Sequence, residues 1–77
     1  MPMWLETDKG LSKTFEFDNF TQAWAFMCQV ALLAEKMDHH PDWSNVYNKV
    51  YIHLCTHSAG NQITEKDRKL AYEIDQL

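Results

Sequence analysis

A change of hydrophobic period at Asp18 constrains this chain more than any other feature. Before it, Leu11, Lys13, Phe15 and Phe17 alternate with Ser12, Thr14 and Glu16. That is a period of two with a mostly apolar odd face, and it predicts a strand. After it, Phe20, Ala23, Trp24, Met27, Ala31, Ala34 and Met37 recur at helical spacing, with Asp18 as the expected N-cap. Cys28, Val30, Leu32 and Leu33 widen the stripe beyond one face. A helix so broadly apolar is expected to be buried on more than one side, the second side being another subunit. Its end is expected near Asp38, because Pro41 disfavours helical geometry in the residue before it.

The second half repeats the switch. Residues 38–45 read as a loop by composition. Val46, Val50, Ile52, Leu54 and Thr56 then form one face of an alternating run, with Tyr47, Lys49, Tyr51, His53, Cys55 and His57 on the other. A run of that length is long for one strand, and Asn48-Lys49 marks either a bulge or a break into two. Ser58-Ala59-Gly60-Asn61 is a turn, and Thr64 caps a final helix with Leu70, Ala71, Ile74 and Leu77 on one stripe. The first ten residues show no periodicity and end in the turn Asp8-Lys9-Gly10. The order predicts an α+β fold, with helices packed on one face of an antiparallel sheet. At 77 residues the chain is expected to be one domain, 1–77.

Charge and composition exclude whole classes of function. Eleven acidic against seven basic residues leave a formal charge of -4. That argues against direct contact with nucleic acid, which needs a basic surface, and against an anionic membrane. The apolar stretch from Ala23 to Ala34 is interrupted by Gln29 and is too short to span a bilayer. The start, Met1 to Glu6, has neither a basic region nor an apolar run and does not read as a signal peptide. Two cysteines, Cys28 and Cys55, make no disulfide scaffold. They are expected to be reduced and buried, in a cytoplasmic setting. So small a domain often draws stability from self-association, which is therefore expected here.

The segment with most chemistry in it is Asp38-His39-His40-Pro41-Asp42-Trp43. Imidazole gives and takes protons near neutral pH, and flanking carboxylates can orient it. Trp43 offers a flat wall for an aromatic ligand. The plainer alternative is a solvated loop with incidental histidines. His57 falls at a predicted strand end, while His53, four residues earlier, reads as a surface or interface residue. Asp67 stands three residues after Thr64, so a capping role is its default, with reach into a nearby site as the alternative. Glu35 lies one helical turn before His39 and faces it if the helix persists. No spacing fits a zinc site, no serine has a nucleophile context, and Gly10 and Gly60 stand too far apart for a phosphate loop.

Together these residues form a spaced constellation. Glu35 is followed after three residues by His39-His40-Pro41, after five by Tyr47, after nine by His57 and after nine more by Asp67. This pattern resembles the signature of the pterin-4a-carbinolamine dehydratases. The flanks are similar too: Phe15-Glu16-Phe17, Asn19-Phe20 and Ala23 to Met27 before it, Trp43 to Val50 within it. The likeness runs from about Trp4 to the C-terminus, although many members of that family carry a further helix before this point. The resemblance implies a cytoplasmic homodimer or homotetramer with no metal and no cofactor. It implies loss of water from 4a-hydroxytetrahydrobiopterin to give quinonoid dihydropterin, the step that recycles pterin for aromatic amino-acid hydroxylases. The family's three active-site histidines fall on His39, His40 and His57 and its acids on Glu35, Asp38 and Asp67, while Pro41 and Trp43 are expected to bind or orient the substrate, Trp43 by contact with the pterin ring. Animal members also act as dimerisation cofactors of a homeodomain transcription factor. A non-enzymatic binding role for helix 19–37 is therefore the alternative function.

Overall fold

A computed structural model describes residues 3–77, so the part of the amino-terminal reading that falls on Met1 and Pro2 lies outside the described residues. Four antiparallel strands form one sheet, β1 (Leu5–Thr7), β2 (Gly10–Glu16), β3 (Asp42–Val46) and β4 (Lys49–Leu54), in the order β1-β2-β4-β3. Two helices, α1 (Phe20–Met37) and α2 (Glu65–Asp75), complete the chain, with a short 3-10 turn at His57–Ala59. The α+β expectation is borne out.

The core follows from the two periods. The even residues of β4, Val50, Ile52 and Leu54, are buried, and Leu11 of β2 lies opposite Leu54 on the same face. Against them pack Ala23 and Val30 of α1 and Leu70, Ala71 and Ile74 of α2. Each large aliphatic side chain buried this way contributes roughly 1.5–3 kcal/mol. Lys13 shares the apolar face of β2. Its ammonium lies 4.8 Å from the Phe15 ring centre and 2.8 Å from the Asp75 carboxylate, which keeps the charge satisfied at the edge of the core.

Several expectations need correction. The α1 N-cap is Asn19, not Asp18: its extended backbone (φ -158°, ψ 176°) lets Oδ1 accept from the Gln22 N–H at 2.9 Å. Asp42–Val46 is a strand rather than loop, because pairing with β4 overrides the weak strand propensity of Asp, Ser and Asn. β1 is present although no periodicity announced it; three exposed edge residues are too few to show one. Cys28 is exposed on α1 rather than buried.

The long alternating run resolves as a break, one of the two readings left open. Tyr47 and Asn48 connect β3 to β4, with Tyr47 at φ 51°, as tight hairpins demand. Asn48 then ties this hairpin to the end of β2 through two 2.8 Å bonds, its carbonyl accepting from the Phe17 N–H and its amide donating to the Phe17 carbonyl. Val46, expected on the buried face, is exposed beside this turn.

Candidate active site

Three chain segments arrive at one end of the molecule, each stopped there by its own local chemistry. The first is the exit of α1. Asp38 adopts the left-handed conformation (φ 52°, ψ 43°), and its N–H donates to the Glu35 carbonyl at 3.1 Å. The next N–H, from His39, reaches back to the Ala34 carbonyl at 3.0 Å. This pair of bonds satisfies the last helix carbonyls and turns the chain sharply, so that His39 and His40 leave the helix axis together.

The second segment is the end of β4. Thr56 closes a loop with Gln62, its N–H donating to the Gln62 carbonyl at 2.9 Å, and His57 opens the 3-10 turn directly after it. The third is the start of α2. Thr64 caps it, with the Asp67 side chain accepting from the Thr64 N–H at 2.9 Å, so the expected capping box is present.

Asp67 does more than cap. Its side chain is fully buried, and both oxygens are occupied. Oδ2 accepts from the Thr64 N–H and from the Thr56 hydroxyl at 2.8 Å, while Oδ1 lies 2.5 Å from His39 Nε2. Burial pushes its carboxyl up. The hydrogen bonds from His39, the Thr64 N–H and Thr56 outweigh that and hold it below the ordinary carboxylate range. At neutral pH a buried anion therefore stands behind His39, whose side chain is itself mostly buried. His40 is more open, with its Nε2 2.8 Å from Glu35 Oε1. Glu35 thus serves His40, not His39 as its position one turn earlier had implied.

Asp38, His39, His40 and His57 all line one cleft of about 290 Å³, together with Cys55, Thr56, Ser58 and Lys66. Other expected site residues stay outside its walls. Asp67 acts from behind His39, Glu35 acts through His40, and Pro41 and Trp43 do not line the cleft. Trp43 instead packs against the core beneath β3, where it lies opposite Ile52. Sequence reasoning missed Thr56 and Lys66. Thr56 had a signal, since it is a polar residue in register with the buried face of β4 and so needed a buried partner. Burial pushes the Cys55 thiol up, and the charges of Asp67 and Asp42 add to this, so it stays protonated rather than serving as a thiolate.

A larger cleft of about 760 Å³ lies elsewhere, along Phe15, Phe17, Phe26 and the C-terminus, but it holds no histidine. Among the described residues no three His, Cys, Asp or Glu side chains are grouped to hold a metal ion. No helix among the described residues is long and apolar enough to cross a membrane.

A small antiparallel sheet backed by two helices thus gathers three imidazoles at one end, two of them paired with carboxylates. The pattern of the pterin 4 alpha carbinolamine dehydratase family matches residues 1–77, and the chain belongs to that family. A protein of Prochlorococcus marinus (strain NATL2A), named "Putative pterin-4-alpha-carbinolamine dehydratase", is 55% identical over 76 residues, which cover 99% of this chain and 79% of that relative. A relative of the same name from Afipia carboxidovorans is 48% identical, covering 100% of this chain and 78% of its own length. Among solved structures, a transcriptional coactivator/pterin dehydratase from Brucella melitensis superposes with a TM-score of 0.88 at 44% identity, over 95% of this chain and 79% of that one. A pterin dehydratase-like protein described as a RuBisCO assembly factor in the alpha-carboxysome superposes at 0.78 with 25% identity, over 97% and 86%.

Proposed function

We propose that this protein is a hydro-lyase that dehydrates 4a-hydroxytetrahydropterins, 4a-hydroxytetrahydrobiopterin among them, to the quinonoid dihydropterin. The observation that carries the reading is the convergence of His39, His40 and His57 on one cleft, with a buried carboxylate fixing the first of them. In the reaction the C4a–O bond breaks and the hydroxyl leaves as water, taking a proton from an acid. The N5–H bond breaks as well, its proton going to a base and its electron pair forming the N5–C4a double bond. Both proton transfers run near neutral pH, where imidazole serves as acid and as base.

His39 and His57 are the acid–base pair in this reading. Asp67 keeps the His39 ring in one orientation and steadies its charged form when it holds a proton. His40, with Glu35 behind it, and Asp38 bind and orient the pterin. Pro41 stiffens the loop that carries the histidines, and Trp43 braces the strand after it. The reaction as written needs no metal or cofactor. In its physiological setting the protein is a cytoplasmic homo-oligomer that recycles pterin for aromatic amino-acid hydroxylases.

Stopped-flow absorbance on enzymatically generated 4a-hydroxytetrahydropterin separates these roles. His39→Ala and His57→Ala are expected each to lower kcat by about a hundredfold, within the usual range for a lost acid or base. His40→Ala is expected to act mainly on KM. Unchanged kcat in both of the first two variants, shown to be folded, would remove the acid–base assignment.

A second reading draws on a different surface. Phe20 and Trp24 stack on the outer face of α1 with ring centres 6.5 Å apart, and Leu32 extends that exposed apolar face. Such a face suits association, with a second copy or with a partner in the manner of the coactivator and assembly-factor relatives. A protein that binds through α1 and fails to dehydrate the carbinolamine would favour this reading.

A further inference from the structure

Beside the histidine cleft runs a second groove, of about 460 Å³, lined by Leu33, Lys36, Met37, His39, Lys66, Lys69 and Glu73. The two share His39 and Lys66, so the groove leads directly out of the candidate site. Its charge is unlike that of the rest of the chain. The protein has only seven basic residues against eleven acidic ones. Lys13 and Arg68 are held in ion pairs. Three of the remaining five, Lys36, Lys66 and Lys69, line this one groove, and none of them has an acidic partner among the described residues. Glu73 is the single acid in the lining, so the walls carry a surplus of positive charge.

The arrangement has a structural cause. Lys36 lies in the last turn of α1, and Lys66 and Lys69 stand three apart on one face of the first turns of α2. The meeting of the two helix ends brings them together. Concave surfaces lined by one sign of charge attract the opposite sign more strongly than scattered charges do. Lysine binds phosphate as a flexible point charge, and a phosphate's greater negative charge draws more from several such lysines than a carboxylate's single charge does.

We infer that this groove receives a phosphate group carried on the side chain of the pterin, so that phosphorylated pterins are the favoured substrate class. The inference rests on the pterin reading above for the ring. The groove supplies the reason for a side-chain preference: a ring seated against His39 would extend its substituent past Lys66 toward Lys36 and Lys69.

The test compares 6-methyl-7,8-dihydropterin with the phosphate monoester of 6-hydroxymethyl-7,8-dihydropterin, by equilibrium fluorescence titration at low and high salt. The ester is expected to bind about fivefold more tightly at low salt, an effect of the size that a few exposed ion pairs provide, and to lose that advantage at high salt. The Lys36→Gln/Lys69→Gln double variant should abolish the preference while leaving 6-methyl-7,8-dihydropterin binding unchanged. The Lys36→Arg/Lys69→Arg variant should keep it. Equal affinity for the two ligands, or a preference that survives in the glutamine variant, would overturn the inference. Stopped-flow dehydration of the neutral 6-methyl carbinolamine, run alongside, tests the underlying function separately. A protein that binds the ester preferentially but accelerates no dehydration would retain the groove and lose the enzyme.

Discussion

Asp67 is the residue on which the site depends. It caps α2, accepts from Thr56 and holds His39, so one buried carboxylate joins three segments that are remote in sequence. Removing it leaves a ring nitrogen, a hydroxyl and a backbone N–H without their acceptor. Asp67→Ala is therefore expected to cost about 3 kcal/mol in a denaturant titration, as the loss of a buried, hydrogen-bonded charge does. The carboxyl titrates below its ordinary value in the folded protein. Its contribution is thus present in full above the unfolded-state value and is lost as pH falls through the folded one. Wild-type stability should drop more steeply than that of Asp67→Asn as pH is lowered from about 5, near the top of the carboxylate range. Parallel curves would show that the bonds to Asp67 contribute no net stability. Asp38 offers a complementary test, since its φ of 52° suits glycine better than aspartate. Asp38→Gly is expected to stabilise the fold by less than the roughly 1–2 kcal/mol that a left-handed residue ordinarily costs, because aspartate tolerates that conformation and glycine frees the unfolded chain, and to weaken pterin binding, which separates a site role from a folding role.

At the scale of elements, the site depends on where β4 ends, because Thr56 and His57 follow that strand directly. Gly10 of β2 sets its position. The glycine has φ 141°, and a Cβ there would press into the Leu54 carbonyl oxygen and come within 2.8 Å of the His53 ring. Gly10→Ala is expected to cost at least ~2 kcal/mol through strain and lost pairing. A midpoint unchanged in urea would show that the two strands are not held this close. Much of this level was legible in sequence. The period change at Asp18 marked β2 and α1, the even face of β4 marked the core, and Thr64 with Asp67 marked the start of α2. What escaped were features that depend on partners distant in the chain. Asp42–Val46 becomes a strand only by pairing with β4, and β1 only by pairing with β2. Likewise the histidine positions were readable, but Glu35's choice of His40 depends on the left-handed turn at Asp38, and Lys66's place in the cleft on how α1 and α2 meet.

At the level of the whole molecule, two surfaces stand apart. One end gathers the histidines. The outer face of α1 exposes Phe20, Trp24 and Leu32, with Trp24 55% exposed, an unusual position for so large an apolar side chain. If that face is where copies of this chain associate, Trp24→Glu should yield a smaller species than wild type in sedimentation velocity. An identical sedimentation coefficient would place association elsewhere. The central claim, that the three-histidine cleft dehydrates a pterin carbinolamine, has a more direct test. The decay of 4a-hydroxytetrahydropterin is followed by ultraviolet absorbance with wild-type protein and with the His39→Ala/His57→Ala double variant. The wild type is expected to accelerate the decay clearly, and the folded double variant to leave it at the uncatalysed rate. Equal acceleration by both, or none by a folded wild type, would contradict that claim.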